Sequence, residues 1–314
     1  MVENVLENWK PHYGEVFGKQ TIHGNHALHT STYFSDEALA DLIEQAPETH
    51  YHLHTMNTDG HDSGSWREGE IGKRSGDQVL EAIYTGQLWL QLRRVHEFHP
   101  RYAKLLKDIF AEFEQNVPGL ETFKHDLSIL ISSPGSNVFY HSDVPGQMLW
   151  QMRGHKKVYV YPNSAPFLPQ DALEKIVLNQ IEEGDIRYEA WFDDYAETTD
   201  LQAGSFLHWD LNGPHRIVNG DCVNVSMTTE HFTSQIRKEY AVNYANGLLR
   251  KHAGMSQLSR ETTGAAFWMK AAFAAAHKFS GIQSKAANQR MIEFVVDPKA
   301  PFGYSAIPPK MQVV

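Results

Sequence analysis

The stretch from residue 122 to 235 constrains this chain more than any other. "DLSILISS", "NVFYHSD", "QMLWQMRG", "KKVYVYP", "AGSFLHWD", "PHRIVNG" and "CVNVSMTTEHF" follow one another, apolar and rich in β-branched and aromatic residues, with Gly, Pro, Asn or Asp at their ends. Segments this short read as strands rather than helices. Many short strands joined by turns fold into a sandwich or a barrel. Asn219-Gly220, between two of these strands, is a strong hairpin signal, so the strand that starts near His215 is expected to fold back directly on the next one.

The flanks read differently. "SDEALADLIEQAP" and "SGDQVLEAIYTG" have the marks of short helices, with Ser35 and Ser75 as caps. In "PRYAKLLKDIFAEFEQNVPG", Tyr102, Leu105, Leu106, Ile109, Phe110 and Phe113 fall on one helical stripe. "HYHLHT" and "QLWLQLRRV" alternate as strands do, and a polar, glycine-bearing loop follows the first of them. A long connection, residues 163–200, holds a helix in "LPQDALEKIVLNQ" and an acidic, aromatic loop over 187–200 that could serve as a lid. Past residue 234 helices return, notably "TTGAAFWMKAAFAAAHKF". The expected organisation is a segment 1–120 packed on the barrel, a barrel core over 121–235, and a helical segment 236–314 suited to dimerisation. The expected fold is mainly β with flanking helices (α+β).

Bulk properties narrow the function. Apolar residues make up 41% and charged residues 21% of the 314, the balance of a soluble globular protein. No run approaches the roughly 18 apolar residues of a membrane helix, and "MVENVLENWKPHYG" has no signal-peptide pattern. The single cysteine, Cys222, excludes an internal disulfide and fits a reducing compartment, so a cytoplasmic location is expected. A net charge of −10 disfavours nucleic acid as a partner.

The chemistry starts at "YHSD". In a strand, residues i and i+2 share a face, so His141 and Asp143 project together. Two imidazoles and one carboxylate suit Fe(II) and leave coordination positions open for substrate and oxygen. His215 is the best candidate for the second imidazole. A second His-x-Asp, His208 and Asp210, acts as an internal control: it has valine at position 223, where the first pair has Lys156. His208 is therefore expected to be a core or rim histidine. His50, His52 and His54 share a face without a carboxylate in their own strand, which favours packing or a polar face over a metal site. Trp89, Gln91 and Arg93 share a face too, and either line the pocket or simply pack.

Gly135, His141, Asp143, Gln147 and Gly154 have the spacing of the first cupin motif, with Asp143 replacing its second His and Gln147 its Glu. "LQAGSFLHWDLNGPHRIVN", with His215 and Asn219, resembles the second motif. Together they are similar to the JmjC-type Fe(II)/2-oxoglutarate oxygenases of the cupin superfamily, over about residues 122–235. The resemblance implies a double-stranded β-helix (jelly-roll) core with His141, Asp143 and His215 as iron ligands. It implies that Lys156 binds the distal carboxylate of 2-oxoglutarate, as a buried ammonium needs an anionic partner. Arg153 is the substitute for Lys156. Gln147, Asn224 and Ser226 are further cosubstrate-pocket candidates. Related hydroxylases often carry a hydroxyl residue just before the metal His. Asn137, Tyr140 or a residue of "NVSMTT" would have to replace it here. The implied activity is 2-oxoglutarate-dependent hydroxylation of a protein side chain or small molecule. The alternative is a non-catalytic cupin-type sensor of a metal or small ligand.

Overall fold

The computed structural model describes residues 4–55, 66–280 and 289–313. The first part contains β1 (Leu6–Glu7), α1 (Pro11–Val16), β2 (Ile22–His26), α2 (Asp36–Gln45), β3 (Tyr51–Thr55), β4 (Glu68–Glu70), α3 (Gly76–Thr85), β5 (Leu88–Leu92), α4 (Val95–Phe98) and α5 (Pro100–Asn116). The caps are those read in the sequence. Ser35 Oγ accepts from Ala38 N at the start of α2, and Ser75 with Gln78 closes a capping box on α3. All six stripe residues of α5 are buried. The polar loop expected after β3 falls largely on residues 56–65, outside the described residues.

Eight strands follow: β6 (Phe123–Ser132), β7 (Asn137–His141), β8 (Gly146–Arg153), β9 (His155–Val160), then α6 (Gln170–Val177), β10 (Glu197–Gln202), β11 (Ser205–His208), β12 (His215–Asn219) and β13 (Asn224–Phe232). They divide between two sheets. β11-β8-β13-β6 forms part of an eleven-stranded sheet, and β10-β9-β12-β7 is a sheet of its own, all paired antiparallel. This is a double-stranded β-helix, as expected. Leu130, Leu149, Val158, Val160, Leu201, Leu207, Trp209 and Ile217 pack together between the sheets. The other face of the large sheet, with Ile129, Met148, Trp150, Phe206 and Met227, packs against the N-terminal helices, Phe113 of α5 included. Period-2 alternation therefore sorts each strand, and on β13 Val225 and Met227 face the helices while Asn224 and Ser226 face the barrel.

Asn219-Gly220 is not a hairpin turn. β12 lies between β9 and β7 in the small sheet, and β13 lies between β6 and β8 in the large one. Residues 220–223 carry the chain across. Both edges of β12 are already paired, and Gly220 serves neighbouring strand ends instead: its N–H donates to His155 O (3.0 Å) and its carbonyl accepts from Gly135 N (2.8 Å).

α7 (Ser234–Ala253) and α8 (Gly264–Phe279) are the expected C-terminal helices, but strands β14 (Gln289–Val296) and β15 (Tyr304–Val313) follow them. β14 pairs in parallel with β4, so both ends of the chain extend the large sheet. Part of the connection read as a loop is also strand. β10 pairs with β9, and just before it Phe192 is buried while Asp193 accepts from Arg216, Tyr161 and Tyr188. No described helix is long and apolar enough to cross a membrane.

Candidate active site

The two strands that carry the histidines are neighbours. His215 of β12 stands opposite His141 of β7, with their rings 4.1 Å apart, and Asp143 follows β7 immediately. His141 Nε2 is 4.0 Å from Asp143 Oδ1, and His215 Nε2 is 3.4 Å from Oδ2. Each imidazole is oriented in the same way. His141 Nδ1 meets Phe139 O at 2.9 Å and His215 Nδ1 meets Gly213 O at 3.1 Å. A carbonyl only accepts, so both rings carry their proton on Nδ1 and turn the Nε2 lone pair toward Asp143. Asn212 ties the two loops together by donating to Asp143 O (2.8 Å), while its own carbonyl accepts from Ser142 Oγ (2.9 Å).

The electrostatics of the cluster would suit a cation. Burial raises the pKa of Asp143, opposed by His141 and by a hydrogen bond from Gln147. Burial and the neighbouring His141 hold His215 well below the usual histidine range. A divalent ion among the three donor atoms, which lie within 4.8 Å of one another, offsets both penalties. Two imidazoles and one carboxylate that leave one side open are the donor set of non-haem Fe(II). The residues fit the metal.

Lys156 lies on β9, where it pairs with Asn219 while Val160 pairs with His215. Pairs four residues apart on one strand share a face, so Lys156 and His215 face the same interior about 13 Å apart along the strand. Lys156 is 5% exposed and forms no ion pair among the described residues. Its Nζ donates to Ser226 Oγ (2.7 Å), and burial pulls its pKa down to about 7. Ser226 donates to Gln151 (2.8 Å), which donates to Asn224 Oδ1 (2.7 Å). A buried ammonium with donors to spare and no carboxylate partner among the described residues is the cradle that an anionic acid would fill.

The other expectations divide. Asn224 and Ser226 lie at the Lys156 end, whereas Gln147 lies at the metal end, bonded to Asp143 and, at 3.4 Å, to Glu230. Lys157 is exposed near Asp200, and Arg153 points away to Asp36 and Tyr84. Tyr140 packs outside the barrel with its hydroxyl on Phe167 O, so the hydroxyl that meets Lys156 is that of Ser226. His208 faces the helices. It stacks on Phe17, donates to Gln147 O and accepts from Gly18 N, and is a core histidine.

His52 and His54 do find a carboxylate, Glu68 of β4, on the neighbouring strand. That cluster already holds its cations. Arg93 donates to His52 Nε2 (2.7 Å) and Arg290 to Glu68 (2.6 Å). Against burial, hydrogen bonds from His52 and Arg290 hold Glu68 down at about 2.

Two further acids were not singled out from the sequence. Burial, with Asp143 and Asp126 nearby, pushes Glu230 up to about 8. Burial, with Asp143 and Glu230 nearby, raises Glu183 well above its ordinary value. Glu230 was within reach, because it continues the Asn224–Ser226–Thr228 face at period 2. Glu183 sits in a loop that no pattern singles out.

No family pattern and no curated protein matches the chain. Solved structures do. The ribosomal oxygenase YcfD from Escherichia coli, in complex with cobalt and 2-oxoglutarate, is 16% identical with a TM-score of 0.50, over 90% of this chain and 69% of that one. The two chains share their fold. A non-haem α-ketoglutarate-dependent carbocyclase, SnoK from nogalamycin biosynthesis, aligns at 13% identity and a TM-score of 0.44, over 71% of this chain and 84% of that one.

Proposed function

We propose that this protein is a JmjC-type Fe(II)- and 2-oxoglutarate-dependent oxygenase that hydroxylates a protein side chain or a small molecule, in the cytoplasm. The observation that carries the reading is Lys156, buried in the barrel with no ion pair among the described residues, on the same face as the His141/Asp143/His215 triad. Iron bound there with 2-oxoglutarate supplies the oxidising chemistry that couples loss of CO₂ to hydroxylation. The chain's own residues supply the rest. The Phe139 and Gly213 carbonyls orient the ligand imidazoles, Lys156 and Ser226 receive the distal carboxylate, and the interior wall of Leu149, Val158, Leu207 and Ile217 excludes water. A sensor that binds only metal has no use for the buried cation. The described fold neighbour YcfD is a ribosomal oxygenase, which supports a protein side chain as the substrate. Exposed Trp268, Met269 and Phe273 on α8 support a homodimer through the C-terminal helices.

The test is an anaerobic titration of 2-oxoglutarate into the Fe(II)-loaded protein, following the metal-to-ligand charge-transfer absorption of bidentate chelation. The band is expected in the wild type. In Lys156→Ala it should need roughly 30- to 150-fold more cosubstrate, the loss of one charge-assisted contact worth about 2–3 kcal/mol. Iron binding with no band at any concentration overturns the 2-oxoglutarate reading.

A further inference from the structure

Three clusters of metal-ligating side chains occur among the described residues. One is the triad, and the second is neutralised by Arg93 and Arg290. The third is His155, Asp221 and Cys222, whose donor atoms lie within 4.8 Å of one another. We propose that these three residues form a second metal site, outside the barrel, for a borderline-soft divalent cation such as Zn²⁺.

Its position is separate from the triad. His155 begins β9, and Val160, five residues on, is the residue that pairs with His215. The intervening strand spans roughly 16 Å. Lys156 faces the barrel, so alternation turns His155 outward. Asp221 and Cys222 belong to the 220–223 crossing from the small sheet to the large one.

The backbone that carries the donors is held in place. Gly220 N donates to His155 O, Gly220 O accepts from Gly135 N, and Asn224 Nδ2 donates to Cys222 O (3.0 Å). Two glycines let the backbone segments come this close. A Cβ at Gly220 would stand 2.2 Å from His155 Nε2, and one at Gly154, where φ is +76°, would stand 2.4 Å from Val223 O. The loop therefore lies against the imidazole and fixes its plane, with Nδ1 turned to Cys222 Sγ at 3.5 Å.

The chemistry fits a tetrahedral ion. Zinc bonds of about 2.3 Å to sulfur and about 2.05 Å to nitrogen put the two donors roughly 3.6 Å apart at the tetrahedral angle. Sulfur, imidazole and carboxylate form a set that selects zinc-like ions over magnesium or calcium. Asp221 has no ion-pair partner among the described residues, in contrast to Glu68. The side chains are exposed or half-buried, so a solvent molecule can take the fourth position.

The proposal is independent of the oxygenase reading, because the triad contains no sulfur. Co²⁺ is the probe, added to the wild type and to His141→Ala, and the readout is the near-ultraviolet thiolate-to-cobalt charge transfer. A saturable band is expected in both proteins, displaced by Zn²⁺. It should vanish in Cys222→Ser and need at least about tenfold more cobalt in His155→Ala or Asp221→Asn. Absence of the band from the folded wild type under excess Co²⁺ overturns the proposal, as does its persistence in Cys222→Ser. The 3.5 Å contact is then an S–H···N hydrogen bond and nothing more.

Discussion

At the scale of single residues, the barrel interior is two electrostatic problems about 13 Å apart. At one end a buried carboxylate sits beside two imidazoles. At the other a buried lysine has no ion pair among the described residues. On the proposed reading, metal and cosubstrate would answer both. For Lys156 the sign can be worked out. Its pKa in the unliganded fold is about 7, far below the ordinary lysine value, and a bound carboxylate restores the charged form. Binding of 2-oxoglutarate is therefore strongest below pH 7 and weakens as the pH rises above it, by up to about tenfold per unit. Calorimetric titrations at pH 8 in buffers of different ionisation enthalpy should show uptake of a proton, and Lys156→Met should show none. A pH-independent affinity between 6.5 and 8.5 contradicts this account. The metal end makes a different prediction. Fe(II) or Co²⁺ at a hundredfold excess over its Kd stabilises the fold by about 2.7 kcal/mol. For a chain of this size that raises Tm by roughly 5 °C. Asp143→Ala should lose that rise while its metal-free Tm changes little, because the carboxylate it removes is buried and poorly compensated. Were the metal-free variant to melt far below the wild type, Asp143 would be structural instead.

At the scale of elements, both ends of the chain are built into one sheet. β14 docks on β4 through Phe294, which is fully buried, its ring lying where a Cβ on Gly69 would meet it at 2.2 Å. Phe294→Ala should cost about 3–5 kcal/mol in urea unfolding. A loss below about 1 kcal/mol would mean that the C-terminal strands are only loosely attached. This junction also marks where sequence reading stops. "QRMIEFVV" alternates, with Arg290, Ile292, Phe294 and Val296 buried, so the strand itself was legible and was passed over. Its partner was not, since Glu68–Glu70 is three residues with two charges, more than 200 positions away. β10 carries weaker signal still. It covers the edge of β9, and of its six residues only Leu201 is buried. Helix caps and stripes, which depend on neighbours within four residues, were read correctly at Ser35, Ser75 and Tyr102–Phe113. Asn219-Gly220 misled for the converse reason. Its turn chemistry is local, but partners on both sides of β12 decide where the chain goes next. The clustering of His141, Asp143 and His215 was legible because strand alternation and motif spacing are both sequence properties. Alternation allows only one of Lys156 and Lys157 to turn inward, and the motif spacing points to Lys156, the one that is buried. The acids Glu183 and Asp126 act on Asp143 or Glu230 only through the fold.

At the scale of the whole molecule, one surface is out of keeping with the rest. On α8, Trp268, Met269, Phe273 and Phe279 are 67%, 68%, 42% and 92% exposed, and exposed Ala272 and Ala276 lie among them. At 100° per residue these six fall on one side of the helix, a wide apolar stripe facing outward. The opposite side is anchored, since Phe267 and Ala274 are buried and Tyr244 of α7 meets His277 at 3.0 Å. A chain with net charge −10 resists non-specific association, so a face this apolar marks a specific contact. The small alanines between the large side chains would let a second α8 approach closely. Sedimentation equilibrium should find a dimer at micromolar concentration. Trp268→Glu, which puts a charge in the middle of the stripe, should shift it to monomer and leave the 2-oxoglutarate charge-transfer band unchanged, because α8 contributes nothing to the barrel interior. A wild type that stays monomeric at every concentration removes the homodimer from the reading. A dimer that survives Trp268→Glu moves the contact away from α8.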